Sequence, residues 1–345
     1  MMKHISRIAS GLLTILTLGC LLGGCTVLNE AQQRRAERLK NKQRPNLYLL
    51  KASRASIKID ADALQGESDH YILKFSEDLH DHDKFNEVSE RKEFALSALS
   101  YMESLYEAMY DVFGFKPEHK VHVNLHHVYQ GTTRVATTTS LGKHIVVNGE
   151  LLKMISGIQL DFPINMYASP GTRIHELTHA FTNVYFLPVW FSEGIAVLMQ
   201  TEYGRDRSIT KFDSLDRHLK LDNNTGFNQL ESWQGHGDIA DMVLTFWRYR
   251  YAYTVVSELR ERYGHDFYIK VFALMQKDRL HEKLLGKTPT SFVVYYFSQA
   301  AGEDLVPFFK ELQFDVQKWE KSDILKQIEQ SKARLQTQPR TRRRN

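Results

Sequence analysis

The stretch Thr172–Phe181, TRIHELTHAF, holds two histidines four positions apart and a glutamate directly after the first. In an α-helix, residues i and i+4 lie about 6 Å apart along the axis and about 40° apart around it. His175 and His179 therefore point the same way, and both imidazoles can bind one metal ion. Glu176 is turned by about 100° from His175, which places its carboxylate beside such an ion, where a bound water molecule would lie.

The flanking residues predict two helices joined by a turn. Ser169 is a suitable N-cap, and Pro170 suits the first position of a helix. After Pro188, a second helix is predicted from Trp190 to Met199. The 13 residues between the second histidine and Glu193 are enough for the first helix to end and for the chain to return antiparallel. We therefore expect a carboxylate to face the two imidazoles.

Glu193 lies in the apolar sequence Pro188–Ala196, PVWFSEGIA. An unpaired carboxylate among such neighbours is costly, so a partner is expected. Gly194 leaves room for a close approach of another backbone. Two histidines and one carboxylate form the ligand set of a catalytic zinc site, which keeps one position open. The sequence thus predicts one Zn²⁺ ion bound by His175, His179 and Glu193.

HELTHAF followed by LPVWFSEGIA resembles the gluzincin metallopeptidases, most closely the peptidase-MA-like families, and HELTHA is similar to the helix of the thermolysin group. The direct resemblance covers residues 172–200. Tyr249–Gly264 is similar to the family segment in which a tyrosine begins a helix ending in L-x-E-R-Y-G. Ala301–Phe309 is similar to the terminal helical part of such enzymes.

The resemblance implies an α+β fold: a zincin-like core with a small mixed sheet and the HExxH helix, followed by a mainly helical C-terminal region. It implies hydrolysis of peptide bonds, with Glu176 as the general base and Tyr249 donating a hydrogen bond to the developing oxyanion. This chain has Ala252 where the family has a glycine, and Tyr251 and Tyr253 occupy the same turn. The choice among the three tyrosines stays open.

Two other parts of the sequence bear on this site. Asn183 lies four residues after His179 on the same helix face, so it is a candidate for orienting that histidine; an exposed polar residue is the alternative. His144–Asn148 is predicted to be a strand, with Thr137–Gly142 as its flexible flank. That strand is either an edge strand that pairs with an extended peptide or an internal strand of the sheet.

The N-terminus is typical of an export signal. A short basic start precedes the uncharged run Ile8–Leu22, which is too short to span a membrane as a helix. The ending Leu22–Cys25, LGGC, resembles a bacterial lipobox, which implies lipidation of Cys25. A plain signal peptide and an uncleaved anchor are the alternatives. Thr26, rather than Asp, follows the cysteine, and by resemblance to lipoprotein sorting this favours the outer membrane, facing the periplasm.

The rest of the chain divides by composition. The expected segments are a signal peptide (1–24), a polar tether (25–45), a mixed α/β region ending in the HExxH helix (46–185), a helical region carrying the third ligand (186–330) and a basic disordered tail (331–345). Periodicity predicts a helix at Arg91–Phe113 and a strand at Val121–Val128. Further helices are predicted at Thr245–Tyr263, Phe267–Gln276, Ser291–Ala301 and Asp304–Leu312.

Charge narrows the classes of partner. The formal net charge is +4, but the signal peptide carries two basic residues and residues 332–345 carry six, so the body has a net charge of −4. The basic character therefore belongs to a tail, and nucleic acid is not an expected partner of an exported lipoprotein. The expected partners are a peptide or protein substrate and a membrane bound through the N-terminal lipid, and the oligomeric state does not follow from the sequence. Two alternatives to a zinc peptidase remain: a catalytically silent lipoprotein of the same fold that binds peptides or assists assembly, and a structural envelope protein with a chance motif.

Overall fold

The computed structural model describes residues 51–79, 85–127, 135–215, 226–235 and 242–337. These residues belong to one compact unit. The predicted signal peptide, the lipidation site at Cys25 and the tether lie outside them. Within the described part of the chain, every helix is too short or too polar to cross a lipid bilayer.

A single six-stranded sheet occupies the first half of the described chain. Its strands are β1 (Lys58–Ile59), β2 (Gln65–Glu67), β3 (Tyr71–Phe75), β4 (Val121–His126), β5 (Thr137–Val147) and β6 (Glu150–Pro163). Their spatial order is β1-β2-β3-β4-β6-β5. The central strands β3, β4 and β6 are parallel to one another, and the outer strands pair antiparallel. Leu73, Val123 and Leu160 share one register row across the three parallel strands and are buried.

The hairpin of β5 and β6 differs from the sequence-based expectation. Thr137–Gly142 was expected to be a flexible flank, but these residues belong to β5 and pair with β6 from Thr137 opposite Asp161 onward. The hairpin turns at Asn148 and Gly149, which both have positive φ. Among the described residues β5 pairs only with β6, so it is an edge strand of this sheet.

Ten helices and three short 3₁₀ segments complete the described residues. The helices are α1 (Val88–Phe113), α2 (Ile164–Tyr167), α3 (Pro170–Thr182), α4 (Val189–Tyr203), α5 (Met242–Tyr263), α6 (Phe267–Lys277), α7 (Leu280–Lys283), α8 (Thr290–Ala301), α9 (Val306–Glu311) and α10 (Lys321–Thr337). The 3₁₀ segments are Glu77–Leu79, Asn183–Tyr185 and Phe227–Leu230. A sheet followed by helices is the predicted α+β class, and the helices expected from periodicity are confirmed within a few residues.

The predicted disordered tail at 331–345 needs correction. Residues 331–337 belong to α10, whose residues Ile324, Ile328 and Ser331 are buried. Their spacing of four and three residues forms one face of a helix, and packing of this face keeps the segment ordered. The remaining residues, 338–345, lie outside the described part of the chain.

Aromatic packing joins the sheet region to the helices. Phe181, at the end of α3, lies with its ring centroid 5.0 Å from that of Tyr106 and 5.8 Å from that of Phe113, both on α1. Trp190, at the start of α4, is fully buried and donates its indole N–H to Thr290. These contacts fix both ends of the α3–α4 connection, so the facing sides of the two helices are held in register.

Candidate metal centre

The first helix of the site begins as the sequence predicts. Ser169 is the N-cap of α3, where its hydroxyl accepts a hydrogen bond from the backbone N–H of Thr172 at 3.4 Å, and Pro170 is the first helical residue. Ile174 and Leu177 are fully buried on the core side of this helix. The HExxH face is consequently turned away from the core and towards α4.

The second helix returns antiparallel to the first. Three contacts have opposite chain order in the two helices: Gly171 with Gly204, His175 with Gln200, and His179 with Ser192. Glycine at both positions of the first pair allows the backbones to approach closely, because a Cβ at Gly204 would lie only 2.8 Å from the Cα of Gly171. This crossing places Glu193 directly opposite the two histidines.

Three potential ligand atoms converge at this crossing. The Nε2 atom of His175 lies 3.1 Å from Oε2 of Glu193 and 3.2 Å from Nε2 of His179. The Nε2 atom of His179 lies 3.4 Å from the same carboxylate oxygen. All three side chains are mostly buried, with 10–14% of their surface exposed. Among the described residues, this is the only cluster of three histidine, cysteine or acidic side chains with a metal-binding arrangement.

The triangle has the dimensions that a tetrahedral zinc ion requires. Zinc binds histidine nitrogen and carboxylate oxygen at about 2.0–2.2 Å, so two ligand atoms of a tetrahedron lie about 3.3–3.6 Å apart. The three measured separations between ligand atoms, 3.1, 3.2 and 3.4 Å, are within a few tenths of an ångström of this range. Two imidazoles and a carboxylate thus fit one zinc ion in both chemistry and spacing.

The other ring nitrogen of each histidine has its own partner. Nδ1 of His175 lies 3.1 Å from Oε1 of Gln200, and Nδ1 of His179 lies 3.1 Å from the hydroxyl of Ser192. Such contacts fix ring orientation and leave Nε2 free to face the common centre. The role that the sequence suggested for Asn183 is therefore filled by Ser192. Asn183 instead caps α3 through its backbone N–H, which donates to the carbonyl of His179.

Gln200 is held in turn by the loop that follows α4. Its Nε2 donates to Oδ2 of Asp206 at 3.0 Å and to the hydroxyl of Ser208 at 3.3 Å. Asp206 packs directly over Gly171, where any Cβ would collide with its carboxylate. The absence of a side chain at this position therefore permits the contacts that orient Gln200 and, through it, His175.

The electrostatics of the cluster favour a charged carboxylate. Burial alone would raise the pKa of the Glu193 carboxyl, but His179 and His175 outweigh it and hold that pKa well below its usual value. Burial also opposes the imidazolium of His179, but the neighbouring Glu193 and Glu176 raise the pKa of this histidine. The site thus concentrates negative charge that a divalent cation would neutralise.

Glu176 lies beside the triangle and is held by the edge strand. The hydroxyl of Thr138 on β5 lies 2.6 Å from Oε2 of Glu176 and 2.9 Å from its main-chain oxygen. The glutamate is buried, with 7% of its surface exposed. Its carboxylate adjoins the cluster without belonging to the triangle, as the helical geometry of the motif predicts.

The structure distinguishes the three candidate tyrosines. The ring of Tyr249 lies 6.1 Å from that of His175, and its hydroxyl is hydrogen-bonded to Glu193. Burial and the carboxylate raise the pKa of this phenol well above its usual value, so it remains a hydrogen-bond donor. Tyr251 instead packs against Phe212 and Phe227 in the core. Tyr253 is buried, and it is not among the groups that shift the pKa of His179 or Glu193.

Sequence reasoning missed four residues of this site: Thr138, Ser192, Gln200 and Asp206. Gln200 lies seven positions after Glu193 and therefore on the same face of α4, which is a usable signal in the sequence. Thr138 depends on strand register, Ser192 on the crossing of the two helices, and Asp206 on the path of the loop after α4. Their contacts follow only from the tertiary structure.

Comparisons with known proteins do not assign this chain to a family. A scan of the chain against protein-family models gives no match, and a search of the curated proteins gives no match either. The chemistry of the cluster is therefore inferred from its own residues.

Proposed function

We propose that this protein is a zinc-dependent metallopeptidase of the gluzincin type, with a zincin-like core. The observation that carries the proposal is the convergence of His175, His179 and Glu193 within 3.4 Å of one another, with the Glu176 carboxylate beside them. This ligand set leaves a fourth position open, which distinguishes catalytic from structural zinc sites. When bound, zinc supplies Lewis acidity that polarises a carbonyl group and makes a water molecule more acidic.

The chain's own residues supply the proton transfer. Glu176 is the general base that accepts a proton from the attacking water and passes it to the leaving amine. Thr138 donates to one of its carboxylate oxygens and so leaves the other free to face the substrate. Tyr249 is a neutral donor that contacts Glu193, and in this proposal it stabilises negative charge on the carbonyl oxygen.

We further propose that the substrate is an extended peptide that pairs with β5. This strand pairs only with β6 within the described chain, and it carries Thr138, the residue that contacts the general base. Strand addition uses backbone hydrogen bonds, so it accepts many sequences and provides affinity without demanding a particular side chain.

The test compares wild type with Glu176→Gln, both purified without the N-terminal lipid segment, for zinc content and for cleavage of a broad peptide library. We expect both proteins to bind one equivalent of zinc, and turnover to fall by about 10²–10⁴-fold in the variant, the usual contribution of a general base. Glu107→Gln, on the exposed face of α1, is the matched control and should retain full activity.

The outcome also separates the alternatives. Stoichiometric zinc without turnover by wild type would favour a catalytically silent peptide-binding or assembly protein. A wild-type protein that binds no zinc would favour a structural envelope protein and end the enzymatic proposal.

For localisation, we propose lipid anchoring through Cys25 at the outer membrane, facing the periplasm. The basis is the sequence Leu22–Cys25 and the threonine after it. Incorporation of a labelled fatty acid in cells should disappear in Cys25→Ser and persist in Cys20→Ser. Equal labelling of both variants would refute lipidation at Cys25.

A further inference from the structure

A cavity lies along the β5–β6 hairpin. It has a volume of about 500 Å³ and is lined by Lys153 on β6, by the end of α3 and by residues of α6 and α7. In the hairpin register Lys153 lies opposite His144, whereas Thr138 lies opposite Leu160. Seven residues of extended strand separate these positions, which corresponds to about 23 Å. The part of the cavity at Lys153 is therefore distinct from the metal centre.

Lys153 is a buried amine without an acidic partner among the described residues. Only 5% of its surface is exposed. Its ammonium group donates to the carbonyl of Val184, and within the described chain no carboxylate forms an ion pair with it. An ammonium group has three donors, so at least two of them have no acceptor among the residues that the structure describes. A buried charge of this kind is expensive unless an anion neutralises it or the proton is lost.

The surroundings of Lys153 are fixed by a strained residue. The ammonium nitrogen lies 4.0 Å from the ring centroid of Phe186, a cation–π distance. Phe186 adopts φ of 48°, a left-handed conformation that is unfavourable for a bulky residue. Thr288 holds it there with two hydrogen bonds to the Phe186 carbonyl, from its backbone N–H at 3.0 Å and its hydroxyl at 2.9 Å. Strain of this sort persists where the surrounding structure maintains it, often at binding sites.

Further polar groups face the same space from the helices. The Nδ1 atom of His281 is buried and has no hydrogen-bond partner. Gln276 lines the cavity and is hydrogen-bonded to Tyr185. The carboxylate of Glu282 also lines the cavity; it is paired with Arg279, and its Oε1 lies 3.4 Å from Nε2 of His281. The Lys153 ammonium group and the unpartnered Nδ1 atom of His281 thus belong to the lining of one cavity.

The rest of the lining is mainly apolar. Phe115, Ile145, Leu152, Ile158 and Phe181 contribute aromatic and aliphatic surface. A concave site of a few hundred Å³ with apolar walls and a few convergent polar groups is the usual form of a small-molecule site. Its chemistry calls for an apolar body and one negative group.

We propose that this cavity is a binding site for a small amphipathic monocarboxylate, whose carboxylate pairs with Lys153 and His281 and whose apolar part packs against Phe115, Leu152 and Ile158. The bound carboxylate supplies the counter-ion that the protein does not provide, and the apolar walls explain why the site is not simply an anion pocket. Burial lowers the pKa of the free Lys153 amine to about 7, and a bound carboxylate would restore its charge.

The test uses octanoate as the probe and 1-octanol as its uncharged counterpart, titrated calorimetrically into the full-length protein without its lipid. Lys153→Met removes the charge while keeping an unbranched apolar side chain. Lys143→Met removes an exposed lysine from the neighbouring strand and is the matched control. We expect saturable octanoate binding, weakened at least about tenfold by Lys153→Met and unchanged by Lys143→Met, with 1-octanol bound equally by all three proteins.

A second measurement does not depend on the variant. Wild-type protein is acetylated at neutral pH with and without octanoate, and labelled lysines are located by mass spectrometry. Octanoate should protect Lys153 and leave Lys120, a surface lysine paired with Glu67, unaffected. Equal octanoate affinity in Lys153→Met, undiminished labelling of Lys153, or the lack of saturable binding up to millimolar concentration would each overturn the proposal. Repeating the titration with Glu176→Gln separates this site from the proposed catalytic one.

Discussion

Nε2 of His175 and Oε2 of Glu193 lie 3.1 Å apart, although the two residues belong to different helices and are separated by 18 positions in the sequence. The contact depends on the antiparallel return of α4, which also brings Ser192 to His179. A single helix crossing therefore positions both the proposed third ligand and one of the groups that orient the histidines.

Replacing Glu193 with glutamine should abolish tight zinc binding. The amide keeps the size of the side chain but removes the negative charge. Loss of a residue that only orients a metal ligand typically weakens binding by about 10–100-fold, and we expect a larger fall in zinc affinity here. Competition with a chromophoric chelator measures the change. Glu107→Gln should leave affinity unaltered, and an unaltered affinity in Glu193→Gln would remove this residue from the ligand set.

Gln200 and Asn183 give opposite predictions. Gln200→Leu removes the acceptor beside Nδ1 of His175, so we expect about 10–100-fold weaker zinc binding. Asn183→Ala should have no effect, because Ser192 lies beside the ring of His179. The same chelator competition decides between them. A larger loss in Asn183→Ala than in Gln200→Leu would contradict the contacts described above.

Thr138 is expected to act on catalysis and not on metal binding. Thr138→Val keeps the shape of the side chain but removes the hydrogen bond to Glu176, and kcat/KM should fall by roughly 10–100-fold, as for a hydrogen bond to a charged group. Thr138→Ser restores the hydroxyl and should recover most of the activity. Zinc content should be equal in all three proteins; a loss of zinc in Thr138→Val would point to a structural defect instead.

Gly194→Ala should weaken the packing of α4 on α5. A Cβ there would lie 2.7 Å from Cγ2 of Val256 and 2.8 Å from the carbonyl oxygen of Ala252, so the helices must separate. We expect the free energy of unfolding to fall by about 1–3 kcal/mol, the usual cost of overpacking. Urea denaturation measures it, with Gly286→Ala as the control, because no atom lies within 4 Å of a Cβ at that position.

Lys153 should make stability depend on pH. The pKa of its amine is about 7 in the folded protein and near the ordinary value of 10.5 in the unfolded chain. Between these two pH values the unfolded chain binds the extra proton, so the free energy of unfolding rises with pH. Relative to Lys153→Met, wild type should therefore gain on the order of a few kcal/mol between pH 7 and pH 10. Urea denaturation of both proteins at several pH values tests this prediction. If the free energy of unfolding changed with pH equally in wild type and in Lys153→Met, the prediction would be wrong.

The helices of the site could be predicted because their signals are local. Ser169 and Pro170 fix the start of α3, and Gly114 ends α1 in a left-handed conformation. The position of Glu193 followed from the length of the connection and from its apolar neighbours. These features depend on residues close together in the sequence.

The sheet was harder to predict because its strands depend on distant partners. β6 has both faces largely covered, so the alternation that identifies a half-buried strand is absent. When β6 is not recognised in the sequence, the register of β5 cannot be predicted, and neither can the contact between Thr138 and Glu176. The helical character of residues 331–337 was hidden for a similar reason. These residues precede a strongly basic end of the chain, and the buried face of α10 that includes Ser331 is recognised only from its packing.

The histidines and Glu193 are brought together only when α3 and α4 are docked, so the unfolded chain offers no comparable ligand set. An ion that binds the folded form alone adds its binding free energy to the stability of the fold. If zinc occupies this site, the zinc supply of the compartment would govern how long each molecule survives proteolysis as well as whether it can act. When zinc is scarce, the metal-free protein would then be degraded instead of accumulating in an inactive form.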